Sequence, residues 1–383
     1  MIELTRRGVL GAGAALAALP LPALAQASAQ AADGLNAIAK SKGMRFGSCF
    51  SWSPAGADRG SFANPKYAEL LKRDCGILVP ENEFKWQAIR PDAKTFNLDH
   101  FSDMLDFAEA NGMAMRGHTL LWHKTQYFPK WLNEYDFGAS PIKEAEKILG
   151  QHIRTLCKLY ANRIVSFDVV NETVEEGSGA LRTSSLSKAF GGTEAMLDFA
   201  YHTARENAPG VQLVYNDYMS WEPGNEGHRY GVLKLLEGFR KRGTPCDALG
   251  VQSHIAVTDS GSVAALVSRQ EGPWRAFLDS AVQMGYKLAV TEFDVNDKAL
   301  PTDEKLRDGL IAAYAKAYLE ILFSYPQLRD VLAWGMTDRF TWLNGFTPRK
   351  DKTLQRATPY NAEYQPKALY GAIHDAFAGA SAR

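Results

Sequence analysis

Two short runs in the chain end on acids. The first, VSFDVVNETVEEG (Val165–Gly177), begins with the β-formers Val165, Phe167, Val169 and Val170 and then reaches Asn171 and Glu172. The second, KLAVTEFD (Lys287–Asp294), delivers Glu292 and Asp294. Two carboxyls facing one cleft are the minimum for cleaving a glycosidic bond. One gives a proton to the leaving oxygen; the other, ionised, attacks the anomeric carbon or activates water, and environment sets the division. Either glutamate alone also fits a structural ion pair, so the chemistry depends on what brings both to one place.

The elements that could do so recur along the chain. Strand runs are expected at Arg45–Phe50, Gly76–Glu81, Ala114–Trp122, Ile164–Glu172, Val211–Asp217, Ala248–His254, Lys287–Asp294 and Val331–Asp338. Helical patterns separate them. In Leu98–Gly112, Phe101, Leu105 and Ala108 recur at spacings of four and three before an Asn111-Gly112 stop; Leu306–Tyr325 is another. Eight strands interleaved with helices predict an α/β fold, a single-domain (β/α)8 TIM barrel. A doubly wound sheet is second, weakened because no GxGxxG follows the first strand. Most strands end in a polar group: Glu81-Asn82, His118, Asn171-Glu172, Asn216-Asp217, Gln252 and His254, Glu292 and Asp294, Trp334 and Asp338. In a barrel these ends share the face on which active sites are built, and Glu172 and Glu292 stand on opposite sides of its mouth.

Composition narrows the classes. The chain has 383 residues, 46% hydrophobic, enough for one large core. Lys plus Arg and Asp plus Glu both number 43, so no net charge draws the protein to nucleic acid or to an anionic membrane. Residues 1–27 are set apart: paired Arg6 and Arg7, an Ala/Leu/Gly run, then small residues at 23–27 read as a secretory signal peptide of twin-arginine type, with an ordinary Sec signal carrying a chance Arg pair as the alternative. Residues 28–383 are then the catalytic domain, exported to the periplasm or secreted. Cys49, Cys75, Cys157 and Cys246 include no CxxC pair and read as buried thiols. No HExxH occurs, and neither a metal nor another cofactor is expected.

Eight motifs, in order, resemble glycoside hydrolase family 10, the endo-1,4-β-xylanases: PENEFKW (Pro80–Trp86), GHTLLWH (Gly117–His123), FDVVNE (Phe167–Glu172), YNDY (Tyr215–Tyr218), GVQSH (Gly250–His254), TEFDV (Thr291–Val295), WGMTDRFTW (Trp334–Trp342) and YQPKALY (Tyr364–Tyr370). The likeness runs from about Gly47 to Tyr370. It implies a retaining mechanism with Glu292 as nucleophile and Glu172 as acid and then base. It also implies that Asn171 bonds the sugar 2-hydroxyl, and that His254, oriented by Asp294, hydrogen-bonds Glu292. Trp334 and Trp342 would flank the reacting sugar, and Glu81, Asn82, Lys85, His118, Trp122 and Gln252 would clamp the glycone side. Trp86 and Trp131 are expected in the core. Xylan and xylo-oligosaccharides are the implied partners, and a monomer is expected.

The sequence departs from the family in places. KTQYFPKWL (Lys124–Leu132) stands where the family continues Ser-Gln and then Pro-Trp, Leu186 where Trp is common, and Asn361 where Asp is frequent. A retaining barrel hydrolase acting on cellulose or mannan is the nearest alternative. A non-catalytic saccharide-binding barrel is disfavoured by the presence of both glutamates, and a barrel oxidoreductase by the missing dinucleotide or metal fingerprint.

Overall fold

The structure is a computed structural model that describes residues 34–383. The leader expected over residues 1–27 lies outside them. The strands are β1 (Arg45–Phe50), β2 (Ile77–Pro80), β3 (Ala114–His118), β4 (Ser166–Asn171), β5 (Gln212–Asp217), β6 (Ala248–Val251), β7 (His254–Ala256), β8 (Lys287–Asn296) and β9 (Leu328–Ala333). Neighbours pair in parallel; β6 pairs with β8 and β9 returns to β1. Eight strands thus close a (β/α)8 barrel, while β7 lies only along the end of β8, with His254 opposite Asp294.

Helices cover the outside because each carries one apolar stripe. In Pro141–Tyr160 the buried positions include Ala145, Ile148, Leu149, Ile153 and Leu156, at spacings of three and four. The expected helices appear at Asp99–Ala110, where Asn111 closes the last turn, and at Glu304–Phe323, where the Asp303 carboxylate caps the Leu306 N–H at 2.7 Å. Alternation along the strands divides the apolar residues. Ile77 and Val79 join Cys49, Leu332 and Trp334 in a small cluster, while Leu78 between them belongs to the main core. All four cysteines are free and buried.

Three strands depart from the expected runs by more than two residues at an end. β3 stops at His118, and Trp122 is left with an isolated bridge to Asn171. β9 ends one residue before Trp334. The run Ala248–His254 breaks at Ser253, whose left-handed backbone (φ 65°) separates β6 from β7. Its hydroxyl is tied to the Val251 carbonyl and the Tyr318 hydroxyl, which hold this uncommon conformation.

Two register shifts aim side chains into the barrel mouth. In β4 a shift between Asp168 and Val170 inserts one residue relative to β5. Asp168 and Asn171 are three apart and would otherwise face opposite sides; with the bulge both point to the interior. In β8 a shift between Val290 and Phe293 lets adjacent Thr291 and Glu292 both reach Asn216. Gly250 on β6 makes room for that asparagine, since a Cβ there would lie 2.4 Å from the Asn216 Oδ1.

Candidate active site

Glu292 is 5% exposed and bonded on both oxygens. Oε1 accepts from Asn216 Nδ2 at 2.7 Å, and Oε2 meets His254 Nε2 at 3.2 Å. His254 Nδ1 in turn meets Asp294 Oδ1 at 2.9 Å, and Asp294 Oδ2 accepts from the Trp342 indole N–H at 2.7 Å. Burial works against a charged His254, but Asp294 and Glu292 outweigh it and raise the imidazole to about 10. The protonated imidazole is therefore favoured, with Asp294 on one side and Glu292 on the other.

Glu172, 6% exposed, lies one residue beyond β4 with its backbone left-handed at φ 56°. A non-glycine residue held there is strained, and the surrounding bonds fix it: its N–H donates to the Asn216 carbonyl, and its carbonyl accepts from Arg182 Nε. Side-chain Oε1 accepts from Gln252 Nε2 at 2.9 Å and from Asn171 Nδ2 at 3.2 Å. Oε2 pairs with the Lys124 ammonium at 2.7 Å. Burial pushes the carboxyl up, but Lys124 and Gln252 outweigh it, so it lies below the ordinary glutamate value. Asn171 Oδ1 accepts from Asn216 Nδ2 at 3.0 Å, so one amide network links the two glutamates.

The other expected residues gather around this pair. His118 Nδ1 meets Asp168 at 2.9 Å, beside the buried Arg116–Asp168 contact. Burial raises the Asp168 carboxyl, and Arg116 and His118 more than reverse that. The His118 ring meets Trp334 edge-on at 5.5 Å, and His254 packs against Trp342 at 5.0 Å. Lys85 is buried, bonded to Asn82 Oδ1 at 3.1 Å, with its ammonium 4.6 Å from the Trp122 ring and 5.9 Å from that of Trp334. Burial draws Lys85 down, against the opposing pull of Glu292, Glu81 and Glu172. Glu81 accepts from the Ser51 hydroxyl at 2.7 Å. Trp86 is buried against His152, and Trp131 packs on the core with its indole N–H on the Arg90 carbonyl. Leu186 is fully buried.

Sequence reasoning missed three participants. Asn216 touches Glu292 and Asn171, and Thr291 holds its side-chain oxygen at 2.6 Å. Its place at the end of β5 was the same signal that marked Asn171 and Gln252. Tyr218 follows it; its hydroxyl accepts from Arg182 and its ring centroid lies 4.2 Å from the Lys124 ammonium. Lys124 itself opens the segment that departs from the family, and that departure was the available signal.

Comparison with known proteins identifies the family. The family model for glycosyl hydrolase family 10 matches residues 34–376. The chain belongs to glycosyl hydrolase family 10. Endo-1,4-β-xylanase A of Caldicellulosiruptor saccharolyticus is 32% identical over 323 residues, covering 79% of this chain and 87% of that protein. Endo-1,4-β-xylanase B of Thermotoga neapolitana is 29% identical, covering 81% and 83%. Among solved structures, xylanase 10B of Thermotoga petrophila in complex with xylobiose superposes with a TM-score of 0.78 at 27% identity, covering 90% of this chain and 97% of that one. Native xylanase 10B of Thermotoga maritima gives 0.77 at 28%, covering 90% and 98%. Family 10 membership also removes the oxidoreductase and doubly wound alternatives.

Proposed function

We propose that this family 10 chain is a retaining endo-1,4-β-xylanase in which Glu292 is the nucleophile and Glu172 the acid and then the base. The observation that carries the reading is the pair of buried glutamates at the mouth of the barrel, joined through Asn171 and Asn216. In the first step a Glu292 oxygen bonds the anomeric carbon while the bond to the leaving oxygen breaks, and Glu172 supplies the proton that oxygen needs. In the second, Glu172 takes a proton from water, the water oxygen bonds the anomeric carbon, and Glu292 is released. His254 and Asn216 fix both Glu292 oxygens, so the nucleophile attacks from one rotamer. Trp334 and Trp342 would bound the reacting sugar, with Glu81, Asn82, Lys85, His118, Trp122 and Gln252 on the glycone side and Asn171 on its 2-hydroxyl.

We infer from the sequence of residues 1–27 an enzyme exported by the twin-arginine route to the periplasm or outside the cell, and we propose separately that it acts as a monomer. Products from linear xylan, glucuronoxylan and short xylo-oligosaccharides test the substrate. A ladder of xylo-oligosaccharides, with the β-anomer formed first by NMR, is expected. Release of cello- or manno-oligosaccharides only would overturn the xylan reading, and an α-anomer first would overturn retention.

A further inference from the structure

Glu172 has to hold a transferable proton, and the structure leaves one place for it. Oε1 already accepts from two amide N–H groups, those of Gln252 and Asn171. The acidic proton therefore belongs on Oε2, and the leaving oxygen must come within hydrogen-bond reach of that atom. Yet Oε2 is where the Lys124 ammonium sits, at 2.7 Å. An ammonium has only protons to offer, so at that oxygen it favours the ionised carboxylate over the O–H form and occupies the approach that a leaving oxygen needs. The same ammonium lies 4.2 Å from the Tyr218 ring centroid, and Arg182 holds that ring by its hydroxyl. Lys124 thus fills the space between the acid and an anchored aromatic face, the kind of surface on which a sugar packs.

We propose that Lys124 is a positioning residue that stands in for the leaving sugar at Glu172 Oε2, is displaced when substrate crosses the cleavage point, and returns once the leaving sugar has gone. While the ammonium is absent, Glu172 carries its proton on Oε2 and gives it to the departing oxygen. When it returns, it favours the carboxylate that must next take a proton from water. The two steps thus receive opposite help from one side chain. The inference rests on the assignment of Glu172 as acid and base. The shift of Glu172 below its ordinary value, with Lys124 the largest of the lowering influences, agrees with it.

The other groups acting on Glu172 do not duplicate this role; the Trp122 indole N–H, which also lowers the carboxyl, is uncharged. Lys85 approaches from the loop after β2 but is buried on Asn82 and held between Trp122 and Trp334. Arg182 bonds the Glu172 backbone carbonyl and is paired with Glu175. Glu292 and His254 are bonded to each other across the site. Tyr215 is engaged by Asp217 and the Thr173 N–H, and Glu176 is exposed on the loop after β4. Lys124, with its side chain 21% exposed, is the cation on the carboxylate itself and the one with solvent to move into.

The test titrates Glu172 by carbon NMR of the labelled carboxyl, assigned with Glu172→Gln, in the wild type and in Lys124→Ala, Lys124→Gln and Lys124→Arg. In the resting protein, Ala and Gln should raise the Glu172 midpoint by about one pH unit or more, the ordinary effect of removing an opposite charge in contact, and Arg should not. The alkaline limb of kcat/KM on xylopentaose should move up by a similar amount. The limb on dinitrophenyl xylobioside, whose leaving group needs no proton, should stay where it is. With xylopentaose bound in a Glu292→Ala background, adding Lys124→Ala should no longer change the midpoint. An unchanged resting midpoint, or an equal loss of rate at every pH on both substrates, would overturn the proposal. A Lys-to-Ala difference that persists with xylopentaose bound would overturn the displacement. The resting titration needs no turnover, so a protein inactive on xylan would refute the functional reading and leave the lysine's effect measurable.

Discussion

The two glutamates are both buried at the ends of barrel strands, yet they are held in different ways. Glu292 lies within β8, and each of its oxygens meets a group fixed from behind: Asn216 by Thr291, His254 by Asp294. Glu172 lies beyond β4 on a left-handed backbone, with one oxygen bound by two amides and the other by a partly exposed lysine. A nucleophile keeps one protonation state until it attacks, so a rigid, permanently paired setting suits it. A group that gives a proton and then takes one must change state twice in a turnover. One of its oxygens must then face a partner that can be exchanged. The contrast teaches that burial alone does not distinguish the two carboxyls; the exposure of their partners does.

The sharpest way to break the comparison is to remove each carboxylate and vary the leaving group. Glu292→Ala should be inactive on xylan and on a dinitrophenyl xylobioside, because no covalent intermediate can form. Glu172→Ala should lose about 10²–10⁴-fold on xylan, the usual contribution of a general acid. It should still glycosylate Glu292 from the activated substrate and then stall for lack of a base. Azide should rescue it with a β-configured product. The reverse pattern between the two variants would exchange their roles.

Asn216 tests the rigid side. Asn216→Ala removes the amide on Glu292 Oε1 and its link to Asn171. A hydrogen bond to a charged group is worth about 1.5–3 kcal/mol, so kcat/KM should fall about 10–100-fold on xylan and on the activated substrate alike. A loss on xylan alone would mean that Asn216 serves Glu172 rather than Glu292.

The barrel was legible in the sequence because each strand is a short apolar run bounded by turn residues, and strand ends on one face follow from parallel topology. What brings Asp168 and Asn171 to the same side was not legible. It depends on a one-residue bulge, which appears only when β4 is paired with β5. The break at Ser253 was hidden for a similar reason. GVQSH reads as one run, and the positive φ is held by Tyr318, 65 residues away. Asn216 stood at a strand end like the residues chosen, but its function comes from partners on β4 and β8. Lys124 was visible as a departure in type; only the folded loop, pinned by the His123 N–H on the Asn171 carbonyl, lays its ammonium against Glu172.

Trp342 sharpens the same contrast from the sugar side. It packs near His254 and donates to Asp294, so it combines an apolar wall with support of the Glu292 relay. Trp342→Phe keeps a ring and loses the bond of the indole N–H. About tenfold in kcat/KM is expected, the scale of one hydrogen bond. Trp342→Ala should lose more, since an aromatic side chain buries roughly 150–250 Å². Equal values for Phe and Ala would leave the wall without a role, and unchanged kinetics for both would make the residue structural.

The smallest effect expected is on stability, and its pH dependence separates the fixed side from the exchangeable one. The His254 imidazole is raised to about 10 by Asp294 and Glu292, against burial. An unfolded histidine titrates near 6.5. A group whose folded value is raised binds more protons folded than unfolded, so its contribution is complete below about pH 6.5 and disappears as pH climbs through about 10. His254→Ala should therefore melt below the wild type by about 1–2 °C at pH 6, the shift that about 1 kcal/mol produces at an unfolding entropy of about 2.1 cal/mol/K per residue in a chain this long. The gap should narrow steadily between pH 7 and 10. Melting curves of both proteins across that range check it. A gap that stays constant would mean that His254 stabilises by packing against Trp342, with the charge between the two carboxylates contributing nothing.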